Sequence, residues 1–249
     1  MDASNYNKEI YKSKKKFNKG YFRTFKGRTK KIIGMLSGFE GSLLDVGCGD
    51  ATMTAQIRDA LKCNAKAVEL VDENVRKARA KGIEVKKVDL NREKLPFKQA
   101  SFDAVLAGEV LEHVIDSDGL LLEIKRVLKK GGTLILSVPN TASWYNRAML
   151  LFGYLPLFIE SGSRKSYGTP YGRLNGHVKA FTKKSLEEML RENGFEIAKV
   201  VGSGFSRAGQ EEYSSAIEMA GAKLFFLGER IFSKRSSLAT NIIVKAVKA

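Results

Sequence analysis

Apolar and polar positions alternate in short blocks along this chain, and each block has the length of one strand or one helix. Apolar runs such as SLLDVG, AKAVEL, SFDAVLAGEV and TLILSVPN are bounded by turn residues, which predicts buried strands. Between them, TMTAQIRDALK, ENVRKARAK and GLLLEIKRVLKK carry apolar residues at helical spacing, which predicts amphipathic helices. This alternation favours an α/β fold, with a mostly parallel sheet covered by helices on both faces.

Local signals predict where several of these elements begin and end. Asp72 is predicted to cap the helix ENVRKARAK, and Thr182 to cap the helix KKSLEEMLREN. The pair Gly131 and Gly132 is predicted to end the helix GLLLEIKRVLKK, and Gly194 to close the later helix. A leading helix is predicted before the first strand, and a helix EEYSSAIEMAGAKLFFLGERIF before a last strand, NIIVKAV.

Candidate binding residues follow the predicted strands, where open parallel sheets bind ligands. Gly47 and Gly49 follow the first strand and let the backbone approach a ligand, although a tight turn alone also explains them. Glu69 ends the second strand and can accept both hydroxyls of a ribose, unless it is a plain exposed carboxylate. Asp89, with Leu90, ends the third strand and can accept from an exocyclic amine or form a turn.

Taken together, these segments resemble the class I S-adenosylmethionine-dependent methyltransferases. The matching motifs are LLDVGCGDA, VEL, VDL followed by LPF, SFDAVLAGEVLEHV and EIKRVLKKGGTLILSVPN, in that order. The resemblance implies a Rossmann-like sheet of seven strands in the order 3-2-1-4-5-7-6, with the last strand antiparallel. A nicotinamide dinucleotide is the alternative cofactor, disfavoured because the third glycine of its fingerprint is missing.

The resemblance also assigns S-adenosylmethionine (SAM) contacts within this chain. The loop after the first strand would hold the methionine moiety. Glu69, after the second strand, would bind the ribose, and Asp89 with Leu90, after the third strand, would contact the adenine. The residues implied as cofactor-binding are Asp45, Gly47, Cys48, Gly49, Glu69, Leu70, Asp89, Leu90 and Glu109.

A cluster of acids and a histidine directly follows the fourth strand, in the segment EVLEH. The chain has two histidines, His113 in this cluster and His177 further on, and both are predicted to be catalytic. The polar groups could begin a helix, or His113 could be a general base. Alternatively, Glu109, Glu112, His113 and His177 could bind Mg or Mn. That pattern resembles the metal site of small-RNA 2′-O-methyltransferases and is similar to ubiquinone-pathway O-methyltransferases.

The segment 141–181 is predicted to be an insert that covers the pocket as a lid and selects the methyl acceptor. It holds the single Trp of the chain and many other aromatic residues, in a stretch without a regular pattern. Its apolar part MLLFGYLPLFI could receive an apolar acceptor, touch a membrane, or simply pack as a small cap. We therefore expect this segment to select the methyl acceptor, although its sequence does not identify that molecule.

Charge adds one further feature. The chain has 249 residues and a net charge of +16, and residues 1–31 hold 11 basic and two acidic residues, hence +9. Such an arm attracts RNA or acidic lipid surfaces, although it could also be a solvated terminus. We divide the chain into a basic arm with the start of the leading helix, 1–31, and one methyltransferase domain, 32–249.

Two cysteines cannot build a disulfide framework, and no apolar run approaches the about 20 residues of a membrane helix. These features predict a soluble protein of the cytoplasm. Three functions are compatible with the sequence: methyl transfer to an oxygen of a small or lipid-like molecule, ribose 2′-O-methylation of RNA, and cofactor binding without turnover. The intact glycine loop and strand-end acids disfavour the third.

Overall fold

The computed structural model describes residues 25–169, 175–205 and 216–249. Residues 1–24 of the predicted basic arm lie outside this range, and so does the EEYSS start of the predicted last helix. The strands are β1 (Ser42–Val46), β2 (Asn64–Glu69), β3 (Glu84–Lys87), β4 (Phe102–Gly108), β5 (Leu128–Pro139), β6 (Phe195–Ser203) and β7 (Asn241–Lys248). The helices are α1 (Phe25–Met35), α2 (Thr52–Leu61), α3 (Asp72–Ala80), α4 (Ser117–Val127), α5 (Trp144–Leu151), α6 (Lys183–Glu192) and α7 (Ala216–Phe232), with a 3₁₀ turn at Leu111–His113.

The strands form one seven-stranded sheet in the order β3-β2-β1-β4-β5-β7-β6, which confirms the predicted topology. The first five strands pair in parallel, whereas β7 is antiparallel to both β5 and β6. The carboxyl ends of β1, β2 and β4 therefore lie side by side. Because Pro139 of β5 pairs with Asn241 of β7, the start of β7 lies at the same edge of the sheet.

Alternate residues along the strands supply two apolar cores, one on each face of the sheet. On one face, Leu44 and Val105 pack in a cluster with residues of α4 and α6. On the other face, Leu43 and Leu106 pack in a cluster with residues of α1, α2 and α3. A sheet buried on both faces needs nearly continuous apolar strands, which is the pattern that predicted it.

Two predicted helix boundaries are wrong. Strand β5 begins at Leu128, which pairs with Phe102, so the glycine pair lies within the strand and does not end a helix. Gly131 has a φ of +69° there, and the register of β4 and β5 shifts between Phe102 and Ala104. The glycines thus accommodate an irregularity in strand pairing. In addition, Asp72 is the first residue of α3 and makes an ion pair with Lys87 at 2.6 Å; it does not cap the helix.

Other local predictions are confirmed. The Thr182 side chain accepts a hydrogen bond from the Ser185 backbone, closing a capping box at the start of α6. Gly194 follows α6 with a φ of +77°, a conformation that favours glycine. Helix α5 lies within the predicted insert. Among the described residues, no helix is both long and apolar enough to cross a membrane.

Candidate active site

A cleft of about 220 Å³ opens at the carboxyl ends of β1, β2 and β4. Most of the residues predicted to bind the cofactor line it: Gly47, Gly49, Glu69, Leu70, Asp89, Leu90 and Glu109. His113 and Asn175 line the same cleft, so the predicted cofactor residues and one predicted catalytic histidine share one space. Of the predicted set, Asp45 and Cys48 are not among its lining residues.

The glycine loop after β1 is fixed to the end of β2. The backbone N–H groups of Gly47 and Cys48 both donate to the Val68 carbonyl, at 2.9 and 3.2 Å. Gly47 has a φ of +72°, and a Cβ there would lie 2.5 Å from Val110 Cγ2. A Cβ on Gly49, whose φ is +56°, would meet no atom within 4 Å, so open space lies beside this backbone. The loop therefore requires glycine at position 47 both for its conformation and for its packing.

Glu69 is nearly buried, and backbone N–H groups hold its carboxylate in place. Oε2 accepts from the Gly49 N–H at 2.8 Å, and Oε1 accepts from the Leu70 and Val71 N–H groups at 2.9 and 2.8 Å. A carboxylate has about four lone-pair sites, so one on Oε2 remains available to a ligand. Holding both hydroxyls of a ribose therefore requires Glu69 to release at least one backbone N–H.

Asp89 combines the two roles that the sequence left open. Its Oδ1 accepts from the Asn91 N–H at 3.1 Å, and its carbonyl accepts from the N–H groups of Arg92 and Glu93. These bonds form a turn after β3. The same residue, with Leu90, also lines the cleft.

Asp45 lies in β1, two residues before Gly47, and contacts helix α2. It is 2% exposed, and its Oδ2 accepts from Thr54 Oγ1 at 2.5 Å. Burial raises the pKa of Asp45 from 3.8 to about 7; the Glu69 charge adds to the rise, while the Thr54 hydrogen bond and Arg28 oppose it. The residue thus joins β1 to α2 through a carboxyl group that holds its proton more tightly than usual.

We expect Asp45 to make the folded state less stable as pH rises from about 4 to 7. The unfolded carboxyl ionises near 3.8, whereas the folded one keeps its proton up to about 7, so the folded state binds more protons in this window. The loss is at most roughly 1.4 kcal/mol per pH unit. Urea unfolding of the wild type and Asp45→Asn across this range measures it. An equal pH dependence in the two proteins would contradict the raised pKa.

Glu109 occupies a strained position at the end of β4, with a φ of +58°. Its Oε1 accepts from Ser137 Oγ at 3.0 Å and contacts Arg28 Nη1 at 3.0 Å, and its Oε2 accepts from Asn241 Nδ2 at 2.8 Å. These partners come from α1, β5 and β7. The carboxylate is therefore held at the cleft by residues far apart in sequence.

Arg28 is a site residue that the sequence reasoning missed. It is 3% exposed and ion-paired with Glu109, although it belongs to the leading helix. It lies one turn before Ile32 and two before Leu36, both core residues, so it projects from the buried face of α1. A basic residue on an apolar helical face was the available signal, since a buried charge needs a partner.

The two histidines lie together, with ring centroids 4.8 Å apart. His113 Nδ1 lies 2.8 Å from the Gly176 carbonyl oxygen, and His177 Nδ1 lies 3.0 Å from that of Phe158. A carbonyl can only accept, so each Nδ1 carries the proton, and in the neutral rings each Nε2 keeps a lone pair. The pair can bind a cation or remove a proton.

Three of the four predicted metal ligands lie together. Ligand atoms of Glu112, His113 and His177 lie within 4.8 Å of one another. In the part of the chain that the structure describes, Glu109 is not in this group, because its carboxylate contacts Arg28 and Asn241 instead.

The segment that carries His177 is attached at two points. The Glu112 carbonyl accepts from the N–H groups of Val178 and Lys179, at 2.8 and 3.1 Å. On its other side, Glu160 Oε1 accepts from the backbone N–H groups of Asn175, Gly176 and His177. These bonds bring a residue from the insert next to the turn after β4.

Comparison with known proteins identifies the family. Residues 17–200 match the family model described as Methyltransferase domain. The demethylmenaquinone methyltransferase of Bacillus cereus (strain B4264) is 32% identical over 190 residues, 72% of this chain and 78% of that protein. The human mitochondrial ubiquinone biosynthesis O-methyltransferase is 29% identical over 183 residues, 70% of this chain but only 44% of the human protein. A SAM-dependent methyltransferase from Mesorhizobium loti shares the fold, with a TM-score of 0.60 and 18% identity over 91% of this chain and all of that one. The chain belongs to the class I S-adenosylmethionine-dependent methyltransferases.

Proposed function

We propose that SAM binds in the cleft at the ends of β1, β2 and β4. The open space beside Gly49 admits a ligand close to the backbone, and Leu70, Leu90 and Val110 offer apolar walls. The carboxylates of Glu69 and Glu109 also line the cleft, and they can accept hydrogen bonds from hydroxyl groups and attract a positive charge. The residues therefore fit the cofactor. When bound, SAM supplies a methyl group activated by its sulfonium.

In this proposal, Glu69 binds the ribose of the cofactor. Glu69→Ala is expected to weaken SAM binding by about 1.5–3 kcal/mol, because a buried hydroxyl loses a charged acceptor. Calorimetry measures the affinity, and Glu84→Ala, an exposed acid on β3, is the control. Wild-type affinity that is equal for SAM and its 2′-deoxyribose analogue would contradict this role.

We further propose that the acceptor atom is a hydroxyl oxygen of a small or lipid-like molecule. The observation that supports this most directly is the histidine pair beside the cofactor cleft, since a hydroxyl must lose its proton to become a good nucleophile. His113 Nε2 takes that proton while the Gly176 carbonyl holds the ring through Nδ1. Placement of the acceptor and exclusion of water supply the rest, because the methyl group is already activated.

A divalent cation is a second way for the same cluster to act. Glu112, His113 and His177 offer two imidazoles and one carboxylate, which suit Mn or Zn better than Mg. Carbonyl groups on both Nδ1 atoms are the usual outer partners of metal-binding histidines. A bound cation would lower the pKa of the acceptor hydroxyl. Titration of the EDTA-treated protein with Mn detects the site without turnover, and His177→Ala should abolish that binding.

Aromatic side chains extend from the histidines into the insert and α7. His177 contacts Phe158, Phe158 contacts Phe205, and Phe205 contacts Phe225, with ring centroids 6.0, 6.3 and 6.0 Å apart. We call Phe158, Phe205 and Phe225 the aromatic row. It offers an apolar surface to a ring or chain of the acceptor. The names of the two relatives refer to ubiquinone and demethylmenaquinone, which supports a quinone-like acceptor here.

A screen with methyl-labelled SAM tests this proposal. The acceptors are hydroquinones with a free hydroxyl and the same molecules with every hydroxyl already methylated. We expect label in the free hydroxyl compounds alone. Transfer to the blocked compounds would show that the accepting atom is not oxygen.

RNA is the alternative acceptor, and the basic arm is the feature that favours it. Removal of residues 1–16 takes away five lysines and two acids. We expect this deletion to leave SAM affinity unchanged and to weaken binding to single-stranded RNA by roughly tenfold at low salt, since fewer counterions are released. Fluorescence anisotropy across a salt series measures it. Unchanged RNA binding would remove the arm from this role.

A further inference from the structure

Helix α7 carries a stripe of exposed apolar side chains. Leu224, Leu227 and Ile231 are 71, 52 and 54% exposed. They are spaced by three and four residues, so they lie on one side of the helix. Gly228 and Glu229 face the protein instead. Single exposed leucines are ordinary, whereas a stripe at helical spacing marks a surface that binds something.

The end of helix α5 and the residue that follows it add a second group of exposed apolar residues: Leu150, Leu151 and Phe152. The two helices pack together through Trp144, whose ring lies 5.6 Å from Phe225 and 5.5 Å from Phe232 of α7. Trp144 also donates to Glu229 at 2.7 Å. We call these two groups of exposed apolar residues together the apolar face: Leu150, Leu151, Phe152, Leu224, Leu227 and Ile231.

Over residues 222–235, whose side chains the structure describes, the exposed charged side chains next to the stripe are all basic. Lys223, Arg230, Lys234 and Arg235 are exposed, and Glu229, the one acid among the side chains described over 222–235, is buried. A groove of about 500 Å³ has Leu227, Ile231 and Phe232 together with Arg230, Lys234 and Arg235 along its walls. Apolar chains and anionic groups are thus both accommodated in one place.

We propose that the apolar face docks on a bilayer that contains anionic lipids. Apolar side chains flanked by Lys and Arg suit the boundary between acyl chains and negative headgroups. A second copy of the chain fits less well, because a two-fold contact would bring the same four basic residues of each copy together. RNA fits less well too, since exposed leucines offer nothing to phosphates.

The two helices that carry the apolar face connect to the sheet at the edge where the cleft opens. Helix α5 follows the end of β5, and α7 leads into β7, whose Asn241 pairs with Pro139 and donates to Glu109. The aromatic row connects α7 to His177. A lipid-like acceptor could then reach the histidines from the bilayer without crossing water. Only this delivery of the acceptor rests on the proposed function.

The test is sedimentation of the full chain with vesicles, without cofactor or acceptor. One set contains phosphatidylglycerol mixed with phosphatidylcholine, and the other phosphatidylcholine alone. The variant is Leu227→Asp with Ile231→Asp, and the control is Leu122→Asp, since Leu122 of α4 is exposed to the same degree, 56%. Should the double variant unfold, Leu224→Asp at the most exposed position of the stripe takes its place.

We expect the wild type and the control to bind the anionic vesicles, and the double variant to bind at least about tenfold less. Wild-type binding to neutral vesicles should be weaker. Binding of the double variant equal to wild type would overturn the proposal and assign the attraction to the basic arm. The proposal would also be overturned if the wild type did not bind the vesicles. Self-association of the wild type that the double variant abolishes and the control keeps would overturn it as well, because a second copy would then cover the apolar face. Vesicle binding is measured here without methyl transfer. If the proposed function proved wrong, the proposal of membrane docking would therefore still stand or fall on this experiment alone.

Discussion

Replacement of Gly47 by alanine is expected to weaken SAM binding by about a hundredfold or more. The new Cβ would lie 2.5 Å from Val110 Cγ2, and the φ of +72° disfavours any side chain. Val110 lines the cleft, so its displacement moves the wall against which the cofactor would pack. A hundredfold loss corresponds to about 2.8 kcal/mol, at about 1.4 kcal/mol per tenfold, and we assign it to the displaced wall of the cleft.

Gly38→Ala separates backbone strain from the site. Gly38 has a φ of +75°, and a Cβ there meets no atom within 4 Å, so this variant carries the strain without the collision. We expect it to lose about 1–2 kcal/mol of stability and to keep wild-type SAM affinity. Calorimetry on both variants, with circular dichroism to establish folding, gives the comparison. Wild-type affinity in Gly47→Ala would refute the placement of SAM at this loop.

Replacement of His113 by alanine is expected to lower turnover by about 10² to 10⁴ at neutral pH, if the histidine removes the acceptor proton. SAM affinity should change far less, because the other lining residues of the cleft remain. Turnover of the variant should recover as pH rises, since the acceptor hydroxyl then ionises without help. A pH profile of turnover for both proteins measures this.

EDTA separates the two versions of this role. With a bound cation, chelation inactivates the wild type and Mn restores it; with His113 acting alone, EDTA has no effect. Turnover of His113→Ala equal to wild type at neutral pH, with or without EDTA, would exclude both versions.

The sheet could be predicted because alternating strands and helices indicate a mostly parallel sheet. The resemblance to the methyltransferase family implied the strand order. Local signals were less dependable. Thr182 caps its helix as predicted, but Gly131 and Gly132 lie in a strand because pairing of Leu128 with Phe102 extends β5 beyond the expected boundary. Tertiary pairing thus overrode the usual meaning of a glycine pair.

The site divides in the same way. The predicted glycines and acids line the cleft because each follows a parallel strand, and the carboxyl ends of parallel strands lie at the same edge of the sheet. Glu109 was predicted to join the histidine cluster, yet its contacts with Arg28 and Asn241 hold it elsewhere. Those partners are distant in the chain, and no local pattern encodes such contacts. His177 came next to His113 through the Glu160 and Glu112 hydrogen bonds, which the sequence could not show.

The atom that receives the methyl group decides whether the enzyme methylates oxygen, as we propose. The full chain is incubated with ¹³C-methyl SAM and a hydroquinone, and the product is examined by NMR. We expect the labelled carbon to be bonded to oxygen, and His113→Ala to form about 10² to 10⁴ times less labelled product at neutral pH. A label bonded to ring carbon, or equal labelling by the variant, would contradict this proposal.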